Sequence, residues 1–231
     1  MENKLSVQFL IDESLRKEQD KRKDYVRSGK YSPSMLGRCY RAQYLNRKNV
    51  AESEPLDERV LRTFKVGRLF EDFVVSVFAP GVKQALVEDE NFKGFADVNP
   101  DIDRVIEIKS VHSRSFWYMD KPGYDIDKAK EPNILQNLFY CLKLGKEWAH
   151  LVFVSRDDLC VREYGFSLTR WKEKLIKEIN TLVNYWNKQE LPPAEPRAFV
   201  EEKTGKSREC QYCRYKTLCE NIESGVVKWN S

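Results

Sequence analysis

The chain has 231 residues, of which 41% are hydrophobic and 12% aromatic, so it can bury the core of one domain and is not disordered over most of its length. Its 40 basic and 36 acidic residues leave a formal net charge of +4, which indicates a polyanionic partner only weakly. The charged N-terminus and the lack of a long apolar run argue against a secretion signal and a membrane span, so we expect a cytoplasmic protein.

The first third of the chain is predicted to be helical. Residues 3–28 form a charged helix, and a Ser-Pro-Ser break precedes a second helix over 35–48. Residues 51–60 are acidic and are expected to form a loop. A third helix spans 61–79 and ends at a Pro-Gly pair, because proline cannot continue a helix.

Strands are predicted in the middle of the chain, at 82–92, 92–98 and 103–111. The last of these is the strongest, since it is rich in β-branched residues and bounded by turn residues. We expect residues 116–131 to be irregular, because a Pro-Gly pair interrupts them and another proline follows.

The remaining elements are a helix over 133–143, a hairpin with strands at 148–158 and 159–168, and a helix over about 168–188. A proline-rich connector and a cysteine-rich tail follow. This order predicts an α/β fold, with a central mixed β-sheet flanked by helices.

The predicted strand at 103–111 carries two charged residues among its aliphatic ones. Side chains alternate along a strand, so Glu107 and Lys109 share a face that differs from the face of Ile108. Asp97 lies on the preceding strand, and the turn at 99–103 brings it back towards Glu107. We therefore expect two carboxylates and one ammonium to converge.

Such a cluster has a chemical use. Paired carboxylates stay ionised together when a cation bridges them or solvent screens them, and oxygen ligands suit Mg²⁺ or Mn²⁺. Water bound to that cation is a candidate nucleophile, which Lys109 would orient. The alternative is an ordinary surface pair of Glu107 and Lys109 on an exposed strand.

Four motifs together resemble the PD-(D/E)xK nuclease superfamily. Residues 94–97 read Gly-Phe-Ala-Asp and residues 107–109 read Glu-Ile-Lys. Residues 136–140 resemble the Q-x3-Y motif of the RecB-like branch, and residues 67–71 stand where that branch has a helix with a glutamate ligand. The resemblance extends over about residues 30–220 and implies a restriction-endonuclease-like core.

The resemblance also implies a role for each residue. The catalytic set would be Glu71, Asp97, Glu107, Lys109, Gln136 and Tyr140. The metal ligands would be Glu71, Asp97, Glu107 and the carbonyl of Ile108. Two positions depart from the pattern. Phe70 stands where family members often have histidine, and the literal Pro-Asp pair contains Asp101. We prefer Asp97, because G-x-x-D is the usual form in this branch and Asn-Pro-Asp indicates a turn.

Three cysteines near the C-terminus have the spacing C-x2-C-x5-C, which is typical of a metal site that lacks one ligand. The arrangement resembles RecB-like nucleases that hold a [4Fe–4S] cluster, among them CRISPR-associated RecB-like nucleases and the nuclease domain of AddB. By that resemblance, the ligands would be Cys39, Cys210, Cys213 and Cys219. The cluster would tie the N-terminal region to the C-terminal tail. A zinc site with the same four cysteines is the alternative.

The sequence thus predicts a single RecB-like nuclease domain over 1–231. Its parts are an N-terminal helical part at 30–60, a nuclease core at 61–190 and a cluster-binding tail at 191–231. We expect a metal-dependent DNA exonuclease, acting in CRISPR adaptation or in recombination, repair or viral replication. DNA that is single-stranded or has free ends is the expected partner, with adaptation or recombination proteins beside it and no membrane. The alternative is a DNA-binding or assembly subunit with a vestigial site. Candidate phosphate contacts are Arg38, Arg41, Arg47 and Arg114.

Overall fold

The computed structural model describes residues 6–23, 28–54, 56–100, 102–201, 204 and 206–229. The α-helices of this part are α1 (Val7–Lys23), α2 (Tyr40–Arg47), α3 (Glu58–Ser76), α4 (Ser113–Tyr118), α5 (Ile126–Ala129), α6 (Glu131–Leu144), α7 (Leu168–Asn187) and α8 (Lys216–Glu223). The strands are β1 (Lys83–Glu88), β2 (Lys93–Val98), β3 (Arg104–Val111), β4 (Trp148–Ser155) and β5 (Val161–Ser167). Short 3-10 helices lie at Pro33–Met35, Pro80–Val82 and Glu209–Tyr212.

The five strands form one sheet in the order β1-β2-β3-β4-β5. β3 and β4 are parallel, with Glu107 opposite Leu151, and the other neighbouring pairs are antiparallel. The parallel pair requires a long crossover, and α4, α5 and α6 provide it. The predicted α/β fold, a mixed sheet flanked by helices, is confirmed.

Hydrophobic cores cover both faces of the sheet. The larger core packs α6 and α7 against one face and includes Val105, Leu138 and Leu175. The second core lies under α3 on the other face and includes Ile106 and Ile108. Neighbouring residues of β3 therefore enter different cores, as the alternation of a strand requires.

The segment between β3 and α6 contains more regular structure than the sequence suggested. The prediction that residues 116–131 are irregular is wrong, because α4 and α5 lie there. His112 caps α4 by accepting a hydrogen bond from the Arg114 amide, and Asp125 caps α5 in the same way. These caps allow short helices on either side of the Pro-Gly pair.

The N-terminal region differs in detail from its prediction. Cys39 is the N-cap residue of α2 and not part of a continuous helix over 35–48. α1 covers residues 7–23, and residues 3–5 and 24–27 of the predicted helix lie outside the described part of the chain. Within that part, we find no helix with the length and apolar character that a membrane span needs.

Candidate active site

The candidate active site lies where β2 and β3 separate. In the described residues, β2 and β3 pair in register at Val98 and Ile106. Beyond this pair, the Asp97 carboxylate accepts a hydrogen bond from the Ile108 amide at 2.8 Å. An extended residue points its N–H and its C=O to the same edge of the strand, so the Ile108 carbonyl also faces this gap. We call the gap the β2–β3 opening.

Asp97 lies at a break in the alternation of β2. Ala96 belongs to the larger core and Val98 to the second core, although residues two apart on a regular strand share a face. Gln84, which stands opposite Asp97 between two register pairs, has a left-handed backbone with φ 47°. This local distortion places the Asp97 carboxylate in the opening.

Glu107 is fully buried and holds the centre of the site. Its Oε1 accepts hydrogen bonds from the Lys109 ammonium and from Gln136 Nε2, the latter at 2.6 Å. Its Oε2 is buried and has no hydrogen-bond partner among the described residues. A buried carboxylate oxygen without a partner is costly, which marks this atom as one that a ligand would satisfy.

Glu71 approaches from α3, on the other side of the opening. Its side chain is half-buried, and the neighbouring Asp97 carboxylate contributes to raising the pKa of Glu71. The structure thus brings together Glu71, Asp97, Glu107 and Lys109. Their mutual arrangement follows the sequence prediction, and their roles remain a proposal.

Burial and mutual repulsion keep the acids of this site protonated to unusually high pH. Burial, and then the Asp97 charge, raises the pKa of Glu71 to about 7. Burial raises the pKa of Glu107 to about 8 against the opposing effect of Lys109. The pKa of Asp97 is also raised by burial, and the pKa of Lys109 is raised by its carboxylate neighbours, which outweigh its own burial. A group of acids held in this way is suited to binding a cation.

Gln136 and Tyr140 lie one turn apart on α6. Gln136 contacts Glu107 directly, whereas Tyr140 reaches the site through Gln136. Gln136 holds Glu107, and the Tyr140 hydroxyl bonds to the Gln136 side chain and to the Phe95 backbone. A Cβ at Gly94 would lie 2.6 Å from the Tyr140 hydroxyl. The glycine of the Gly-Phe-Ala-Asp motif therefore allows Tyr140 to approach β2.

Two of the four candidate arginines are buried and engaged by the protein's own groups, which leaves neither open to a phosphate. Arg41 is buried and donates to the Pro192 carbonyl at 2.7 Å and to Glu223 at 2.6 Å. Arg47 is buried, stacked on Trp186 at 3.9 Å. The prediction of phosphate contacts is wrong for both.

The other two arginines remain candidates for phosphate binding. Arg114 is exposed in the first turn of α4. Arg38 is half-buried, and its Nε has no partner among the residues that the structure describes.

The four cysteines gather where α2 meets the C-terminal tail. Cys213 lies within electrostatic range of Cys39, Cys210 and Cys219. Two of the sulfurs accept hydrogen bonds, Cys219 from Arg41 at 3.3 Å and Cys213 from the Tyr215 amide at 3.4 Å. Among the described residues, however, no three His, Cys, Asp or Glu side chains are arranged to hold a metal ion, here or in the β2–β3 opening.

Sequence reasoning missed two buried polar residues that position these elements. Glu209 accepts hydrogen bonds from the backbone amides of Cys39, at 2.9 Å, and Arg197, at 2.7 Å. Asn137 donates to the carbonyls of Val105 and His150, both at 3.1 Å. The sequence offers one signal for Asn137, since it is a polar residue next to Gln136 on an otherwise apolar helix. Asp101, the alternative to Asp97, lies outside the described residues.

Solved structures share this fold. The chain is similar to SSO0001, with a TM-score of 0.57 at 19% identity over 93% of this chain and 96% of that chain. It is also similar to the alkaline exonuclease LHK-Exo from Laribacter hongkongensis, with a TM-score of 0.50 at 14% identity over 70% of this chain and 89% of that one. LHK-Exo in complex with dAMP gives a TM-score of 0.52 at 16% identity over the same shares. No protein-family profile and no curated protein sequence matches the chain. The identities are too low to show more than a common fold, which is consistent with a restriction-endonuclease-like core.

Proposed function

We propose that this chain is a metal-dependent DNA nuclease of the PD-(D/E)xK superfamily, in its RecB-like branch, and that it removes nucleotides from DNA ends. The observation that carries the proposal is the gathering of three carboxyl groups and one ammonium at the β2–β3 opening. An alkaline exonuclease has the same fold, which supports the choice of an exonuclease acting on DNA.

The residues of the opening suit a divalent cation. Glu71, Asp97, Glu107 and the Ile108 carbonyl offer the oxygen ligands that Mg²⁺ and Mn²⁺ prefer. The partnerless Oε2 of Glu107 and the pKa of Glu71, which burial and the Asp97 charge raise to about 7, both indicate a place where positive charge is missing. When bound, the cation would supply charge for the scissile phosphate and an activated water.

The protein's own groups would position the reactants. The Lys109 side chain is 30% exposed, so its ammonium can reach the attacking water or a phosphate oxygen while Glu107 holds it. Gln136 fixes Oε1 of Glu107, which leaves Oε2 directed at the ligand. Tyr140 holds Gln136 in turn and therefore acts as a positioning residue.

Digestion of end-labelled linear and closed circular DNA tests this function, with a titration of Mg²⁺ and Mn²⁺. We expect linear DNA to be degraded from its ends and circular DNA to persist. Asp97→Ala and Lys109→Ala should abolish degradation with the fold intact. Binding of DNA without any product from the wild type would favour a subunit with a vestigial site, and full activity in both variants would overturn the assignment. The genes beside this one would separate CRISPR adaptation from recombination, repair or viral replication.

We further propose that Cys39, Cys210, Cys213 and Cys219 hold a [4Fe–4S] cluster. Support comes from the convergence of four thiols from the two ends of the chain and from the N–H donors already directed at two sulfurs. Burial raises the pKa of the Cys213 thiol to about 11, and a bound cation would reverse that effect. Anaerobic purification should give a brown protein that contains iron, and stoichiometric zinc in a colourless protein would contradict the proposal.

A further inference from the structure

Exposed aromatic side chains lie beside the β2–β3 opening, on the segment that joins β3 to α6. α4 begins within four residues of Lys109 and carries Phe116, Trp117 and Tyr118 in succession. Phe116 is buried, whereas Trp117 is 53% exposed and Tyr118 is 39% exposed. Large aromatic side chains left open to solvent next to a site of phosphate chemistry are suited to contact nucleobases.

Trp117 is held in a fixed orientation although it is exposed. The Arg162 guanidinium lies 4.9 Å from its ring centroid, and the Phe116 ring lies 5.4 Å away, nearly perpendicular at 87°. Arg162 is itself fixed, since it donates to the Phe116 carbonyl at 2.5 Å and to Asp120. An aromatic surface that is already ordered loses little entropy when a ligand stacks on it.

The sheet register links this surface to the candidate catalytic lysine. Lys109 stands opposite Phe153 on β4, and Phe153 stands opposite Arg162 on β5. Register partners point to the same face, and neighbouring strands lie about 4.8 Å apart, so Arg162 is roughly 10 Å from Lys109.

Cations without carboxylate partners line the same path. The Lys130 ammonium lies 5.4 Å from the Phe153 ring centroid, in the middle of the row, and burial lowers its pKa. The Lys121 ammonium lies 4.7 Å from the Tyr118 ring centroid. Within the described residues, neither amine has a carboxylate partner, so a phosphate would supply the missing charge.

The acidic residues of this segment are already neutralised by the protein. Asp120 is paired with Arg162, and Asp127 with Arg170. Asp125 caps α5 and lies 3.4 Å from Lys128. The charge left for a ligand is therefore positive, which fits a phosphate backbone and disfavours a cationic protein segment.

We propose that Trp117, Tyr118, Lys121 and Lys130 bind single-stranded DNA, with bases stacked on the two rings and phosphates beside the two amines. We call these four residues the single-strand platform. The inference rests on the proposed nuclease function and refines it, because it makes a single-stranded end the substrate. The strand runs from the β2–β3 opening to Trp117 past Lys130, whose ammonium lies over the ring of the buried Phe153.

Binding of a fluorescein-labelled oligothymidylate, measured by anisotropy in EDTA, tests the platform without cleavage. Trp117→Ala should raise the Kd for the single strand by roughly 5- to 100-fold, and Trp117→Phe by less than about 3-fold, since phenylalanine also stacks. Lys130→Ala should reduce the slope of log Kd against log salt by about 0.7. Binding of a blunt duplex should change little in all three variants.

Trp148→Ala is the matched control. Trp148 is 45% exposed but begins β4, about 17 Å along the sheet from the level of Lys109. The Trp148→Ala variant should bind the single strand as the wild type does. The platform is wrong if Trp117→Ala binds the single strand as wild type does, or if Trp148→Ala or duplex binding shows the same loss.

The outcome is separable from that of the nuclease proposal. Absence of metal-dependent cleavage in the wild type would contradict the nuclease function and leave a positive binding result in place. Cleavage that persists while Trp117→Ala, Tyr118→Ala and Lys130→Ala all bind normally would contradict the platform alone. Unfolding curves of each variant identify any loss that comes from misfolding, and Tyr118→Ala provides the second test of stacking.

Discussion

Replacing Glu71 by glutamine should stabilise the metal-free protein while it removes activity. Glu71 is half-buried beside Asp97, and its pKa is raised from 4.5 to about 7. The unfolded chain therefore ionises this carboxyl more readily than the folded protein does. As the pH rises from about 4.5 to about 7, the folded state loses stability relative to the unfolded state, and above that window the loss is constant. Glutamine carries no charge, so the variant avoids this loss of stability.

The size of the effect follows from the two pKa values. A pKa difference of about 2.5 corresponds to about 3.4 kcal/mol near pH 8. Solvent reaches part of the side chain, so we expect Glu71→Gln to raise the free energy of unfolding by only about 1–2 kcal/mol. Near pH 5 the gain should be less than half as large, because most of the window still lies above that pH.

Urea unfolding in EDTA, near pH 5 and near pH 8, measures this gain. Glu173→Gln is the control, since Glu173 is an exposed glutamate on α7 and its replacement should have no effect at either pH. With millimolar Mg²⁺ the order should reverse, because the wild type keeps all its ligands and gains more from binding. A variant that is no more stable than wild type near pH 8, or equally stabilised at both pH values, would refute the reasoning.

Three further substitutions test the surroundings of the site. Gly94→Ala places a Cβ 2.6 Å from the Tyr140 hydroxyl and should cost about 1–3 kcal/mol of unfolding free energy, part of which Tyr140→Phe should restore in the double variant. Gln136→Ala leaves Glu107 with one donor fewer and should cost about 1–3 kcal/mol in thermal unfolding, with a lower rate of cleavage at saturating Mg²⁺. Arg41→Ala removes a buried guanidinium from the Pro192 carbonyl and from the exposed Glu223, and should cost about 1–3 kcal/mol and speed proteolysis of the C-terminal tail. Wild-type values for any of these variants would contradict the contact concerned.

Local patterns carried most of the fold prediction. The strand β3 and the helices α6 and α7 follow from β-branched runs and apolar periodicity, and their bounds lie within a few residues of expectation. α4 was missed because six residues with three consecutive aromatics give no helical stripe, and its stability comes from the His112 cap and tertiary packing. A short capped helix of this kind depends on neighbours that the sequence does not reveal.

The candidate site was predictable where short spacings set geometry. Glu107 and Lys109 share a face because they are two apart on a strand, and Gln136 and Tyr140 share one because they are four apart on a helix. The approach of Glu71 from α3 needed the family resemblance, since no local rule brings a distant helix to a sheet edge. Arg41 was assigned wrongly for a similar reason. Nothing in its local sequence indicates that the guanidinium donates hydrogen bonds to Pro192 and Glu223 near the C-terminal end of the chain.

Direct measurement of Mn²⁺ binding by electron paramagnetic resonance tests the central claim, that the acids of the β2–β3 opening hold a divalent cation. The wild type should bind Mn²⁺ more tightly near pH 8 than near pH 6, because Glu71 and Glu107 must release protons at pKa values of about 7 and about 8. Asp97→Asn should weaken binding by at least about tenfold at both pH values. Equal Mn²⁺ affinity in the wild type and Asp97→Asn, independent of pH, would contradict the account.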